Sequence, residues 1–395
     1  MSHAAVRLAL VSLYVASAGC AATDDGDWPV PRGDDSPIHE FAFVSLEARD
    51  APSVEIVEDT VVREESIPEP LSGSLGVAIA AGGEIAILDA RAARVHVLTR
   101  DGAFLRSFGG QGQGPGELAR PTSIAAVAQQ FVVYDHSSNE FKVWTLEGDY
   151  VDSHRVFSRP VTLTQMAEVG EGSLIVAYLN VESDGSTSTV VGAVRLGDDT
   201  FQELLRLPYL PSVIREGGVV VRRDLEANAR QPLVVVDPSE SSQIYIVSSA
   251  AYRIVALALA GTPQWRVSVS APRVPYPRER KVADSRRIEI FYPELPGGAI
   301  AFPDYLPALA PPTLLVDGHG HVYVFLESGL FGDVTQERRE MGAHLVDVYS
   351  SLGHRIFSGR LEGGSWNYAR GDYVYRRGRP GEDVIVTRFR IHEPF

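Results

Sequence analysis

The feature that most constrains this chain is a segment that occurs twice at a fixed offset. GEIAILDARAARVHVLTRDGAFLRSFG occupies 83–109, and QQFVVYDHSSNEFKVWTLEGDYVDSHR occupies 129–155. Asp89 falls on Asp135, and Asp101-Gly102 on Glu147-Gly148, each 46 positions further on. A repeat of this size is one supersecondary unit that cannot bury its apolar face alone, so copies must stack. Weaker copies follow. QIYIVSSAAYRIVALALAG (243–261) matches EIAILDARAARVHVLTRDG without a gap. HVYVFLE and LVDVYSSLG, within 321–353, match with an insertion between them. SLIVAYL…VVGAVRLGDD (173–199) and DYVYRRGRPGEDVIVTRFRI (372–391) complete six units.

Each unit reads as four strands. In the second they are TSIAAV, QFVVYD, EFKVWTL and DYVDSHRV, apolar or alternating runs bounded by turn residues. Four short antiparallel strands repeated six times predict an all-β chain, a six-bladed β-propeller of four-stranded blades over 40–395. VSLEAR and SVEIVED, within 40–60, are spare strands. One of them is expected to complete the last blade, which removes the open edge.

The connector FGGQGQGPGELARP, Phe108 to Pro121, carries Gly110, Gly112, Gly114 and Gly116 in alternation, like a phosphate cradle. A phosphate loop needs a following helix and a Lys-Ser/Thr pair or an acidic ribose partner. Here a strand follows. The outer strand of one blade lies three inter-strand gaps, roughly 14 Å, from the inner strand of the next. About five extended residues would cover that distance. The longer connector is therefore a slack loop on one face, its glycines chosen for positive φ. Asp89 and Asp135 each end strand two, where a carboxylate accepts turn N–H groups.

These units resemble the NHL repeat, and the chain resembles an exported six-bladed propeller of that type. The resemblance is strongest over Gly76 to Val151, and GxGxGPGE…P is its most specific motif. It is weakest over 40–75 and 271–311. Some six-bladed relatives are enzymes: gluconolactonase-like and paraoxonase-like hydrolases, and the lyase of peptidyl-hydroxyglycine. The resemblance implies that these hold a metal in the channel with Glu, Asp, Asn or His. Here the strand-one starts carry Ser74, Arg120, Arg159, Arg230 and Pro312, which departs from that pattern. There is no H-E-x-x-H, no Cys pair and no G-x-S-x-G. His319 and His321 beside Asp317 read as a turn, and neither a metal nor another cofactor is expected.

In a blade the one-to-two and three-to-four turns share one face, and here they are short. The other face receives every elaboration: the glycine loop, Gly329 to Ala343, and a blade-linking insertion at about 271–312. Function concentrates on long loops held by a rigid scaffold. The insertion holds the one helix-like stretch, RERKVADSRRIEIFY (278–292), with Ile288 and Phe291 on one side and charges on the other. It is expected to cap the channel mouth. Arg120, Arg159 and Arg230 precede three strand ones and are candidates to ring that mouth, with Tyr292, Phe302 and Tyr305 as apolar walls. Arg offers carboxylate or phosphate a planar donor fork. Pairing of each Arg with a nearby acid such as Glu117 or Glu226 is the structural alternative.

The N-terminus supplies an address. Arg7 and the apolar run Leu8 to Ala16 form a signal peptide, 1–19, too short to span a bilayer. Ser17-Ala18-Gly19-Cys20 resembles a bacterial lipobox, although Ser17 stands where Leu is usual. A rival cut at Ala16-Ser17-Ala18 would give ordinary secretion. Cys20 is the only cysteine, and 20–39 is acidic and rich in Pro and Gly, a flexible tether. The net charge of -15 opposes nucleic-acid binding. Together these features predict a non-enzymatic binding or scaffold propeller. It would be anchored to a bacterial membrane through lipid alone and take an anionic small molecule or a protein or peptide segment. The alternative is a metal-dependent hydrolase or lyase of the gluconolactonase/paraoxonase-like type.

Overall fold

Strands two and three of each repeat are nearly continuous apolar runs, because neighbouring blades cover both faces of the middle of a blade. The computed structural model of the chain describes residues 37–42, 52–72, 75–169, 173–181, 187–209, 213–216, 219–225, 233–237, 243–248, 250–326, 344–361, 368–370, 373–377 and 383–392. Cys20, Ser74, Glu226, Arg230, VSLEAR and the loop Gly329 to Ala343 lie outside these residues.

In chain order, β1 (Ile38–Ala42) and β2 (Ser53–Arg63) precede the first blade. Blade 1 is β3 (Leu75–Ile79), β4 (Ile85–Asp89), β5 (Arg94–Leu98) and β6 (Phe104–Gly109). Blade 2 is β7 (Pro121–Val127), β8 (Gln130–Asp135), β9 (Glu140–Thr145) and β10 (Tyr150–His154). Blade 3 is β11 (Thr162–Val169), β12 (Ser173–Val181), β13 (Thr187–Arg195) and β14 (Thr200–Pro208). A hairpin of β15 (Val213–Glu216) and β16 (Val219–Asp224) follows. Blade 4 is β17 (Leu233–Val236), β18 (Gln243–Ser248), β19 (Arg253–Ala258) and β20 (Pro263–Ser270). The insertion after it holds helix α1 (Arg278–Phe291) and β21 (Ile300–Ala301). Blade 5 is β22 (Leu309–Val316), β23 (Val322–Leu326), β24 (His344–Tyr349) and β25 (Arg355–Leu361). The last blade has β26 (Tyr368–Arg370), β27 (Tyr373–Arg377) and β28 (Val384–His392).

Within every blade the order is sequential and antiparallel, with strand one innermost. The inner-strand contacts β3–β7, β7–β11, β11–β17, β17–β22 and β22–β26 run in order round the ring. Burial follows position in the blade. All five side chains of β4 and of β23 are buried, whereas outermost β6 alternates and is largely accessible.

Apolar clusters fill the seams between blades. Leu88, Val97 and Phe108 of blade 1 pack with Phe131 and Trp144 of blade 2. Tyr134 and Phe141 of blade 2 pack with Leu174 and Val190 of blade 3. Tyr245 and Trp265 of blade 4 pack with Val316 and Val324 of blade 5, and Phe325 and Val346 of blade 5 with Val374 and Phe389 of the last. The ring closes where Tyr375 and Val386 meet Val77 and Ile87 of blade 1.

The last blade takes its fourth strand from the beginning of the chain. SVEIVED lies in β2, which runs antiparallel to β28 from Glu55↔His392 to Arg63↔Val384. Arg388 fastens the joint. Its Nε donates to Asp59 Oδ2 at 2.5 Å and its Nη2 to Thr60 Oγ1 at 2.9 Å, while its Nη1 meets the carbonyl of Arg100 in blade 1. β1 adds a fifth, parallel strand to blade 4, pairing with β20 from Ile38↔Arg266 to Ala42↔Ser270.

Candidate functional site at the connector face

Tight turns occupy one face of the ring. Gly83, Gly102, Gly148, Gly261, Gly320 and Gly353 each return an N–H to the carbonyl three residues back, at 2.8–3.1 Å. All six have positive φ, which glycine adopts without strain. The inter-blade connectors lie opposite, and two buried carboxylates organise them. Asp135 accepts N–H groups from Ala119 (2.6 Å) and Arg120 (2.9 Å) in the connector, and from Ser137 (3.1 Å) in the two-to-three turn. Asp89 does the same one blade earlier, with Ser72 (2.5 Å), Arg91 (3.1 Å) and Ala92 (3.0 Å). Burial pushes the Asp89 carboxyl up, but these hydrogen bonds outweigh it and hold the group below its ordinary range.

The glycine loop is closed on itself. Leu118 N–H donates to the Gly110 carbonyl (2.8 Å) and Gly112 N–H to the Leu118 carbonyl (3.1 Å). Gly114 N–H donates to Glu117 Oε2 at 2.8 Å. A Cβ on Gly112 would stand 2.0 Å from that same carboxylate oxygen. The loop's own acid therefore fills the space a phosphate would take, and the connector reading stands. Beneath it Leu118 is fully buried, and Lys142, 3% exposed, donates to the Glu117 carbonyl.

Of the candidate arginines, Arg120 and Arg159 are exposed. Arg159 donates to Asn180 Oδ1 (2.8 Å) and to the Val181 carbonyl (2.9 Å), both at the connector-face end of β12. It is held by neutral oxygens. Glu117 is engaged by Gly114, and Arg120 forms no ion pair among the described residues.

The insertion has its own architecture. β21 pairs in parallel with β16 through Arg223↔Ile300 and Asp224↔Ala301, so the connectors before and after blade 4 join in one three-stranded sheet. Sequence reasoning missed the β15–β16 hairpin; VIREGGVVVRRD, with Gly217-Gly218 between two Val-rich runs, carried the signal. The three candidate aromatics lie here and are engaged by cations or rings of this layer. Arg223 stands 5.6 Å over Tyr292, Arg273 5.7 Å over Tyr305, and Lys281 5.7 Å from Phe302. Tyr276 packs on Phe302 and donates to Asp284 Oδ2 at 2.6 Å; burial and that carboxylate push its phenol up to about 12.

Helix α1 corrects one expectation. Ile288 and Phe291, three residues apart, lie on one side of the helix, but only Ile288 is buried; Phe291, the last helical residue, is 69% exposed, so the apolar contact with the layer is made by Ile288. Arg280, Lys281 and Asp284 turn inward beside Ile288, because the Tyr276 and Phe302 rings and the Tyr276 hydroxyl receive them.

His319 and His321 serve a turn. Asp317 accepts both backbone N–H groups at 2.9 Å, meets the His321 ring at 3.1 Å and accepts the Tyr323 hydroxyl at 3.2 Å. Among the described residues no group of three His, Cys, Asp or Glu is placed to hold a metal ion. No helix among them is long and apolar enough to cross a membrane.

A family model described as a 6-bladed beta-propeller matches residues 71–189. No curated protein matches the sequence. Among solved structures, a member of the duf4221 family from Bacteroides vulgatus is 9% identical, with a TM-score of 0.50, covering 86% of this chain and 98% of that one. Virginiamycin B lyase from Staphylococcus aureus is 8% identical, with a TM-score of 0.40 over 85% of this chain and 99% of that one. The likeness to the duf4221 structure is one of fold alone, and the family model and the sheet order give the architecture: the chain is a six-bladed β-propeller.

Proposed function

We propose that this is an exported binding or scaffold propeller, tethered to a bacterial membrane through lipid on Cys20, that presents its connector face to an anionic small molecule or an acidic peptide segment. One observation carries the reading. Tight turns close one face, while on the other the connectors flanking blade 4 join into a layer of their own, rich in Arg and aromatic side chains. Arg120 stands on that same face and forms no ion pair among the described residues, and Arg159 is held there by neutral oxygens alone, which a ligand's carboxylate or phosphate would have to displace.

The test is a calorimetric titration of a dicarboxylate and of inorganic phosphate into the protein and into an Arg120→Ala/Arg159→Ala variant. Loss of one charge-assisted hydrogen bond is worth about 1.5–3 kcal/mol, so affinity should fall at least tenfold and weaken with salt. Equal binding by the variant would assign both arginines to structure. The tether has its own check. Cys20→Ser should move the protein from the membrane fraction to the soluble one, and an unmodified Cys20 in the wild type would replace anchoring by secretion.

A further inference from the structure

β1 clasps the seam between blades 4 and 5 at the outer rim. It runs parallel to β20 from Ile38↔Arg266 to Ala42↔Ser270. His39 and Phe41 therefore share the side of β20 that carries Trp265, Val267 and Val269, the side packed toward blade 5. Blade 5 meets this side with the turn 350–353 and with His354 and Arg355. Arg355 stands 4.9 Å over the Phe41 ring, and its Nη1 donates to the Ala42 carbonyl at 3.1 Å. Phe41 also packs on Tyr349, 5.7 Å between centroids. The His39 ring meets the His354 ring edge to face, 4.8 Å between centroids. Gly353 lies close against both strands: a Cβ there would stand 2.7 Å from the Trp265 ring and 3.1 Å from the His39 ring. Trp265 Nε1 donates to the Ser351 carbonyl at 2.8 Å, which fixes the turn on blade 4. Two histidines from opposite ends of the chain are thus part of the seat of β1.

The charged groups round this pair are cationic or already engaged. Blade 5 brings His354 and Arg355. The acid nearest to Arg355 is Asp347, 3.8 Å away and 2% exposed, and its oxygens also take the hydroxyls of Tyr252 and Ser358 at 2.5 Å each. Trp265 and Val267, on the same side of β20, carry no charge. Glu40 and Arg266 lie on the opposite side of their strands. Among the described residues neither histidine ring pairs with a carboxylate. An ordinary imidazole charges near pH 6.5, and two imidazoliums at this distance repel with no acid to absorb the charge. Burial first, and His354 next, hold the His39 ring below its ordinary value, against the opposing bond to the Leu352 carbonyl. A histidine depressed in the clasped state gives its full contribution above the free value, about pH 6.5, and loses it as pH falls through the lower clasped value.

We propose that β1 is an acid-released clasp: at neutral pH it closes the rim of the seam between blades 4 and 5, and protonation of the His39–His354 pair frees it. β2 stays paired with β28 from Glu55 to Arg63, so the ring remains closed. Release bares the outer edge of β20, whose unpaired N–H and C=O groups can then receive another strand. It also moves the first fixed point of the chain from Ile38 to Ser53, where β2 begins. On the tethered reading above, the extended reach from Cys20 would grow from roughly 60 to roughly 110 Å. The clasp itself does not depend on that reading.

The experiment uses the chain from residue 20 carrying Cys20→Ser, so that acylation plays no part. Hydrogen exchange over 37–42, corrected for the intrinsic rate at each pH, is compared at pH 8 and pH 5. It should rise roughly fourfold or more at pH 5, the scale set by two unit charges about 5 Å apart in water. Exchange in β2 should stay level. His39→Gln/His354→Gln should keep the protection at pH 8 and lose the rise. His354→Gln alone should raise the titration midpoint of His39, read from its ring proton resonance and assigned by its loss in His39→Gln. Equal protection of 37–42 at the two pH values overturns the proposal and leaves the pair as packing. So does a rise that persists in the double variant, or a His39 midpoint that His354→Gln does not move. Intact mass of the wild-type chain tests the lipid on Cys20 separately.

Discussion

Asp89 loses contact with water on folding and keeps its charge because Ser72, Arg91 and Ala92 turn their N–H groups toward it. Its folded carboxyl titrates below the ordinary range. The stability it contributes is therefore complete above the unfolded value, about pH 4, and is lost as pH falls through the lower folded value. Asp317, also held below its ordinary range, acts with the same sign. Asp89→Asn should lower the unfolding free energy at neutral pH by about 1–3 kcal/mol, the cost of leaving buried donors poorly met. Urea melts should also show a smaller loss for the variant than for the wild type on acidification below about pH 4. An unchanged acid slope would mean that Asp89 is not the titrating group.

At the scale of the element, the glycine loop depends on one apolar anchor. Leu118 is fully buried with Phe108, Phe131 and Trp144, and its backbone closes the loop on Gly110 and Gly112. Leu118→Ala should cost about 2–5 kcal/mol by thermal or urea unfolding. Protease cleavage should rise within 110–120 before anywhere else in blade 2. The strands were legible because two copies at an offset of 46 fix each other's boundaries, and buried strands two and three are unmistakably apolar. Helix α1 was legible in position and in its buried Ile288, and not in the contacts of its charges. Its Ile288 does face inward, but the inward turn of its cations was hidden, because one of the rings that receive them, Phe302, lies beyond the helix in the same insertion. The β16–β21 pair was hidden for a related reason: a two-residue parallel contact leaves no periodicity. The partners of Arg159 were hidden too, because Asn180 and a backbone carbonyl carry no charge signature.

For the whole molecule the decisive joint is between its two ends. Arg388, 3% exposed, meets Asp59 and Thr60 of β2 and a carbonyl of blade 1, so it ties three parts of the ring. Arg388 is buried but its partner Asp59 is exposed, so Arg388→Ala strands no buried charge; it should lose about 1.5–3 kcal/mol in equilibrium unfolding, the worth of a charge-assisted hydrogen bond. Hydrogen exchange in that variant should rise first in β2 and β28. A chain lacking residues 1–63 should self-associate through the bared edge of β28, which size-exclusion chromatography would reveal. The same joint sets a timetable for the newborn chain. β2 is made among the first sixty-odd residues and finds its partner only when residues 384–392 exist. Until then an early strand waits beside five growing blades with its edge open, and contacts of such long sequence separation form slowly.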